Sequence, residues 1–163
     1  MIDISNQKRK LKNRTDTSLK TIGLGKKQTT GLLNYQLVAS YVDQYFKHVH
    51  SNSVYVLFVV GIDNIDLVKY TMGTQVETEI IMTVTNQLSN MFRAIDVIGQ
   101  TDTNEFLVFI TNPLLGEKTV LNKGESITRI KLLENVAKLN LTIRVGIYMT
   151  TNNCTKKLMQ ICK

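Results

Sequence analysis

The stretch DVIGQTDTNEFLVFIT, residues 96–111, decides the fold of this 163-residue chain. Asp96–Thr101 and Phe106–Thr111 are strand-like runs, and the polar residues Asp102–Glu105 separate them. Two short runs of this kind, joined by a few polar residues, are typical of a β-hairpin. The stretch therefore predicts two antiparallel strands with a tight turn between them.

The segments on either side of the hairpin supply further elements. Val54–Ile62 is a continuous apolar run, which favours a buried strand. Gly73 and Thr74 precede a stripe with helical spacing, formed by Val76, Ile80, Val84, Leu88 and Met91. After the hairpin, Gly116–Gly124 is predicted as a polar loop. Ser126 would then cap a helix with the face Ile127, Ile130, Leu133, Val136 and Ala137, and Leu141–Thr150 would be the last strand.

The predicted order is strand, helix, strand, strand, helix, strand. This is the βαββαβ arrangement of ferredoxin-like and palm domains, an α+β fold in which helices pack on an antiparallel sheet. An N-terminal helix precedes it, and Thr30 is the predicted N-cap. Apolar residues recur along that helix at Leu33, Leu37, Tyr41, Tyr45 and Val49, with Val38, Val42 and Phe46 beside them.

The net charge of +7 is concentrated in a tail at residues 1–27, which carry a net charge of +6. The tail is rich in Lys, Asn, Thr and Ser and has no hydrophobic period, so we expect it to be flexible. It could contact an anionic surface, or it could be only a solvated linker. Because no aromatic residue interrupts its basic residues, specific nucleic-acid recognition is not expected.

The remaining bulk features favour a cytoplasmic protein. The longest apolar run, Val54–Ile62, is too short to span a bilayer, and the N-terminus does not resemble a secretory signal. Cys154 and Cys162 have no CxxC spacing and are expected to be free thiols. His48 and His50 are two residues apart and would face different ways on a helix, so no metal site is expected there.

Four motifs resemble the GGDEF family, the diguanylate cyclase domain. Thr30–Asn34 resembles its opening motif, and Val56–Asp63 resembles its first core strand with a metal-binding DxD. Asp102–Phe106 occupies the position of the GGDEF turn, and Val145–Ile147 resembles the closing motif. The resemblance implies a domain over residues 28–163 with its C-terminal helix cut short. In that family two GTP-loaded domains dimerise and join their nucleotides into cyclic di-GMP.

The family's metal and turn positions are altered in this chain. The two carboxylates that the resemblance implies for Mg²⁺ are replaced by Gly61 and Asn104, while Asp63 and Glu105 remain nearby. Asp102 and Thr103 replace the turn glycines, which let a backbone approach a ligand closely. A neutral amide and a glycine are poor substitutes for carboxylate ligands of Mg²⁺. We therefore expect a degenerate domain that has no metal cofactor and is not an enzyme.

The nucleotide-reading positions are altered as well. The family's phosphate-facing lysine aligns with Asp66, and its guanine-reading asparagine and aspartate align with Lys69 and Thr78. Restoring any one residue would not recover the family's pattern.

By contrast, Arg93 and Asp96 match the spacing of the RxxD pair that forms the family's inhibitory site for cyclic di-GMP. A guanidinium can bind guanine or phosphate through two hydrogen bonds, and a carboxylate can accept from the guanine N–H groups. The pair could instead be purely structural, because an arginine suits the end of a helix.

The sequence leaves three hypotheses. The first is a catalytically inactive regulatory domain of a bacterial signalling protein. It would bind cyclic di-GMP through Arg93 and Asp96, with a basic residue such as Arg129 nearby, and act through a protein partner or a homodimer. The second is a nucleotide-independent interaction or scaffold module. The third is an active diguanylate cyclase.

Overall fold

The computed structural model describes residues 26–48, 54–101, 104–111, 116–133 and 139–151. These ranges contain five strands and four helices. In chain order they are β1 (Leu33–Asn34), α1 (Tyr35–His48), β2 (Val54–Ile62), α2 (Ile65–Met72), α3 (Thr74–Met91), β3 (Val97–Gln100), β4 (Phe106–Thr111), α4 (Glu117–Thr128) and β5 (Ile143–Thr151).

The strands form one sheet in the order β1-β3-β4-β2-β5. β2 pairs antiparallel with both β4 and β5, and β3 pairs antiparallel with β4. The four predicted strands therefore have the ferredoxin-like order, and the α+β fold class is confirmed. The short β1 adds a parallel pairing to β3, which makes the whole sheet mixed. The predicted hairpin is β3–β4, in which Val97 lies opposite Phe109 and Gln100 opposite Phe106.

Apolar side chains of β2 alternate between the two faces of the sheet. Val56, Phe58, Val60 and Ile62 pack on the face that α2, α3 and α4 cover. Tyr55 and Leu57 point to the opposite face and pack against α1, mainly Val38 and Val42. Because both faces of β2 are buried, its sequence is a nearly continuous apolar run and does not alternate between apolar and polar residues.

The predicted stripe of α3 packs against the sheet, and on α1 the predicted Tyr41 and Tyr45 pack there with Val38 and Val42, whereas Leu33 lies in β1. Ile80, Val84 and Leu88 are fully buried, and Val76 and Met91 pack against them at the edge of the cluster. On β5, Ile143, Val145 and Ile147 share the same cluster, as their alternation predicts. Val49, predicted as part of the α1 stripe, lies outside the described residues.

Three local predictions differ from the structure. The first helix begins at Tyr35 rather than after Thr30, and the side chain of Asn34 accepts a hydrogen bond from the Leu37 amide at 3.0 Å. Gly31 lies between them with φ +67°, which a helix cannot contain. The helix α2, in the segment after β2, was not predicted.

The third difference concerns α4, which occupies Glu117–Thr128 instead of starting at Ser126. Val120, Gly124 and Ile127 form its buried stripe. Gly124 belongs to the helix because it permits close contact with the sheet: a Cβ there would lie 2.5 Å from Cδ1 of Ile147. The two glycines and the polar composition of residues 116–124 had suggested a loop.

Several sequence predictions fall outside the described residues. Residues 1–25 of the tail, Cys154 and Cys162, and the C-terminal residues 152–163 are among these. Lys26 and Lys27, at the end of the tail, form a turn with the residues before β1: the Lys27 amide donates to the Leu32 carbonyl at 2.9 Å. Among the described helices, none has the length and apolar character needed to cross a membrane.

Candidate functional site

The predicted metal positions meet where β2 and β5 lie side by side. Antiparallel pairing places Gly61 directly opposite Arg144. A Cβ at Gly61 would lie 3.3 Å from Nη2 of Arg144 and 3.9 Å from Oε1 of Glu105. The missing side chain of Gly61 therefore leaves a space that the guanidinium of Arg144 borders, with Glu105 on the same side.

Asp63 is held by Arg144 on β5 and by Thr142, the residue before β5. Nε of Arg144 donates a hydrogen bond to Oδ1 of Asp63, and the hydroxyl of Thr142 donates to Oδ2 at 3.0 Å. The Asp63 amide also donates to the Thr142 carbonyl at 2.9 Å. Both carboxylate oxygens of Asp63 thus have protein partners, and one partner is a cation.

The turn after β3 is joined to α3 by a chain of polar contacts. Nε2 of Gln100 donates to Oδ1 of Asn104 at 3.3 Å, and Nδ2 of Asn104 donates to Oε1 of Glu77 at 3.2 Å. Asn104 has φ +60°, a left-handed conformation that asparagine tolerates better than most residues. Lys69 completes the chain, with its Nζ 3.8 Å from Oε2 of Glu77.

This polar chain also reaches the segment before β1, because the hydroxyl of Thr30 donates to Oε1 of Gln100 at 2.8 Å. Asp102 and Thr103 lie outside the described residues. Glu105 closes the hairpin: its amide donates to the hydroxyl of Thr101 at 3.1 Å, and its carbonyl accepts from the Thr101 amide at 2.8 Å. Residue Asp66 is exposed on α2 and Thr78 is half-buried on α3.

Arg93 and Asp96 form a compact turn between α3 and β3. The Arg93 amide donates to Oδ2 of Asp96 at 2.9 Å, and the Asp96 amide donates to the Arg93 carbonyl at 2.9 Å. Nε of Arg93 lies 3.9 Å from the same Oδ2. The side chain of Arg93 is 57% exposed, whereas that of Asp96 is 2% exposed. Asp96 therefore fixes the turn from inside, and Arg93 extends from it into solvent.

The surroundings of this turn add two observations. Oδ1 of Asp96 is buried and has no hydrogen-bond partner among the described residues. Burial raises the pKa of Tyr41 on α1, and the neighbouring charges of Tyr45 and Asp96 raise it further. Nζ of Lys123 on α4 donates to the Met91 carbonyl at 3.1 Å and lies 4.8 Å from the ring centroid of Phe92. Arg129, by contrast, pairs with Glu125 at 3.4 Å on the exposed side of α4.

The family model for the diguanylate cyclase GGDEF domain matches residues 28–163. The chain belongs to the GGDEF family. Solved structures agree with this at the level of the fold. The GGDEF domain of DgcB from Caulobacter crescentus, in complex with c-di-GMP, is 16% identical, with a TM-score of 0.71 and 84% of each chain covered.

Two further structures have the same fold. A longer DgcB structure, with its coiled coil, is 14% identical with a TM-score of 0.73, covering 96% of this chain and 86% of that one. Diguanylate cyclase SiaD from Pseudomonas aeruginosa, in complex with its activator SiaC, is 18% identical with a TM-score of 0.64. It is matched over 90% of this chain and 57% of SiaD. No curated protein sequence matches the chain.

Family membership corrects one expectation from the sequence. The expectation that the chain is not an enzyme is wrong as drawn, because the matched family is that of diguanylate cyclases and the described residues do not show a loss of activity. The altered residues remain facts of the sequence, but they change individual positions within a cyclase family and do not remove the chain from it.

The described residues do not fit the paired Mg²⁺ ions that the family implies. Within the described ranges, no group of three or more His, Cys, Asp or Glu residues is placed to hold a metal ion. Oε1 of Glu105 lies 3.9 Å from the position of a Cβ at Gly61, and the carboxylate of Asp63, two residues after Gly61, is already paired with Arg144. That the chain has no metal cofactor stays a prediction.

Two residues of this site were missed by the sequence analysis. Glu77 sits on the buried stripe of α3, three residues before Ile80, where a carboxylate breaks the apolar pattern. A charged residue in an otherwise apolar stripe indicates a buried polar contact, so the sequence pattern could have identified Glu77. Arg144 could not be found in this way, because an arginine on a strand is ordinary and its importance depends on the register that sets it opposite Gly61.

Proposed function

We propose that this GGDEF domain binds cyclic di-GMP at the turn formed by Arg93 and Asp96 and transmits the binding event through a protein contact. The observation that supports the proposal is that the two side chains of that turn differ in exposure. Asp96 is buried and fixes the backbone of Arg93, while the guanidinium of Arg93 is exposed and available to a ligand.

The chemistry of the pair suits a guanine nucleotide. An arginine can bind a guanine edge or a phosphate through two parallel hydrogen bonds, and such charge-assisted bonds are stronger than neutral ones. We assign the direct contact to Arg93 and the positioning of the turn to Asp96.

Calorimetric titration of cyclic di-GMP into the full chain tests the proposal. We expect saturable binding by the wild type and binding weakened about tenfold or more in Arg93→Ala, since a hydrogen bond to a charged group contributes about 1.5–3 kcal/mol. Lys47→Ala is the control, because Lys47 is also an exposed cation that pairs with a carboxylate, that of Asp43 on the same helix. No heat with the wild type, or equal heat with Arg93→Ala, would refute the proposal.

Incubation of the chain with GTP and Mg²⁺, followed by chromatography, accompanies the titration and measures whether the chain forms cyclic di-GMP. The chain is a member of a cyclase family, so any cyclic di-GMP it forms could already fill the site during purification. Protein freed of nucleotide before titration removes this complication.

A second candidate function is protein interaction that does not depend on nucleotide. It is favoured by three apolar side chains exposed on α2: Leu67, Tyr70, which is 89% exposed, and Met72. Leu67 and Tyr70 are three positions apart and lie on the same side of α2, and an exposed apolar surface shared by neighbouring residues is typical of a contact site. The occupant we propose is a second copy of the chain, as the family's dimerisation implies. Sedimentation of the wild type and Tyr70→Ser, with and without cyclic di-GMP, tests this, with Leu121→Ser as the control on α4.

A further inference from the structure

The guanidinium of Arg144 lies among the groups that would otherwise attract a cation. Gly61 is opposite Arg144 in the sheet, and because glycine has no side chain, Nη2 of Arg144 comes within 3.3 Å of the position that a Cβ would occupy. Oε1 of Glu105 comes within 3.9 Å of the same position. One positive and one negative group therefore border a single point above the backbone of β2.

Asp63 gives this cluster its second carboxylate. Its Oδ1 accepts from Nε of Arg144 and its Oδ2 accepts from the hydroxyl of Thr142. Asp63 is partly buried and Arg144 is mostly exposed, so the pair lies at the surface rather than in the core. The three charged groups together have a formal charge of −1, whereas Asp63 and Glu105 without Arg144 would have −2.

We infer that Arg144 takes the place of a cation in this cluster and keeps divalent cations from binding there. By pairing with Asp63 and lying beside Glu105, Arg144 takes up the negative charge that a divalent cation would need. A divalent cation entering between the carboxylates meets a fixed positive charge within a few ångströms, and Asp63 offers it no oxygen without a partner. Arg144 therefore excludes hard divalent cations from a site whose two carboxylates would otherwise attract them.

The inference differs from the observation that Gly61 and Asn104 lack carboxylates. Missing ligands only weaken a metal site, whereas a resident guanidinium competes for the ligands that are left. The two explanations make different predictions for removal of Arg144. If missing ligands alone keep cations out, removing Arg144 changes nothing; if Arg144 keeps them out, its removal produces a cation site.

Titration with Mn²⁺ as the probe, followed by the electron paramagnetic resonance signal of the free ion, separates these cases. We expect Arg144→Ser to bind Mn²⁺ at least about tenfold more tightly than the wild type, since even in water a like charge at this range repels a divalent ion by that factor. Arg144→Lys, which keeps the charge, should resemble the wild type. Arg129→Ser, which removes another exposed arginine, should also leave Mn²⁺ binding unchanged.

Two further variants keep the test decisive. Arg144→Gln removes the charge and retains a hydrogen-bond donor for Asp63, so it answers the question if Arg144→Ser folds poorly. Arg144→Gln combined with Asp63→Asn should lose the gained binding. Equal Mn²⁺ affinity in folded wild type and Arg144→Gln would overturn the inference, and so would tight Mn²⁺ binding by the wild type that Asp63→Asn abolishes.

Discussion

Nδ2 of Asn104 donates a hydrogen bond to Oε1 of Glu77 over 3.2 Å, and this bond joins the turn between β3 and β4 to helix α3. Glu77 is 5% exposed, so its carboxylate depends on Asn104 and on the more distant Lys69 for compensation. A buried charge of this kind is stabilised only while its partners stay in place. The position of the turn and the stability of the helix are therefore coupled.

We expect Glu77→Ala to lower the free energy of unfolding by about 1–3 kcal/mol, because it leaves the amide of Asn104 without its acceptor in a half-buried site. Glu77→Gln should cost less, since its side-chain oxygen can still accept from Asn104. The midpoint of urea unfolding measures the effect. Glu79→Ala is the control, because Glu79 lies on the same helix but is exposed. If Glu77→Ala and Glu79→Ala unfold at the same urea concentration, the coupling is wrong.

The contact between Glu77 and Asn104 illustrates what the sequence could not reveal. Each residue was visible as a departure from a pattern, one in an apolar stripe and one in a turn, but their contact depends on how α3 lies over the sheet. The same holds for Gly61 and Arg144, which are 83 positions apart and meet only through the register of β2 and β5. A local sequence pattern does not indicate which residues from distant parts of the chain come into contact.

The elements that were predicted well have a strong local signal. Val54–Ile62 and Phe106–Thr111 were placed with their observed bounds because each is a run of apolar, largely β-branched or aromatic residues. The elements that were misplaced have a misleading local sequence signal. Gly124 suggested a loop because a glycine usually interrupts a helix, yet here it lets α4 contact Ile147. Asn34 was passed over as a cap because Thr30 has the same preference.

The close approach of α1 to the sheet at Gly99 yields a second stability prediction. A Cβ at Gly99 would lie 2.2 Å from Cγ2 of Val38 and 3.0 Å from the Leu33 carbonyl. We therefore expect Gly99→Ala to destabilise the fold by about 1–3 kcal/mol through overpacking. Gly146→Ala is the control, since a Cβ there would have only ordinary van der Waals contacts, the nearest at 3.5 Å from Cε2 of Tyr148.

The clash at Gly99 can be checked by a double-mutant cycle. Val38→Ala removes the methyl group that a Cβ at Gly99 would meet, so Gly99→Ala should cost less in that background than in the wild type. The measurement is the difference in thermal or urea midpoint across the four proteins. An additive result would mean that Val38 and the new methyl group do not interact, which would contradict the geometry.

Tyr41 predicts how stability depends on alkaline pH. Burial, and after it the charges of Tyr45 and Asp96, raise the pKa of Tyr41 above its ordinary value of 10.0. A group whose pKa is higher in the folded state contributes stability that is fully present below the unfolded pKa and is lost as the pH rises through the folded pKa. Stability should therefore fall above about pH 10, and Tyr41→Phe should make that fall smaller.

Urea unfolding at pH 8 and at pH 10.5 measures this effect. Tyr70→Phe is the control, because Tyr70 is almost fully exposed. The substitution removes the same kind of hydroxyl group, but from a side chain in solvent. Lysine titration contributes equally to all three proteins and cancels in the comparison. If wild type, Tyr41→Phe and Tyr70→Phe lose the same stability between the two pH values, Tyr41 does not ionise differently in the fold.

Lys123 connects the end of α3 with the proposed ligand turn. Its Nζ donates to the carbonyl of Met91 and lies over the ring of Phe92, directly before Arg93. A cation suits the carbonyl end of a helix, where it stabilises by about 0.3–1 kcal/mol, and the contact with the ring adds about 0.5–1 kcal/mol. We expect Lys123→Met to keep the packing of the stem, to lower the midpoint of unfolding slightly and to increase hydrogen exchange at the amides of residues 92–96.

If cyclic di-GMP binds at Arg93, the same substitution should weaken that binding, because the turn is then held less firmly. Lys118→Met, an exposed lysine on the same helix, should change neither quantity. Unchanged exchange at residues 92–96 in Lys123→Met would show that Asp96 alone holds the turn.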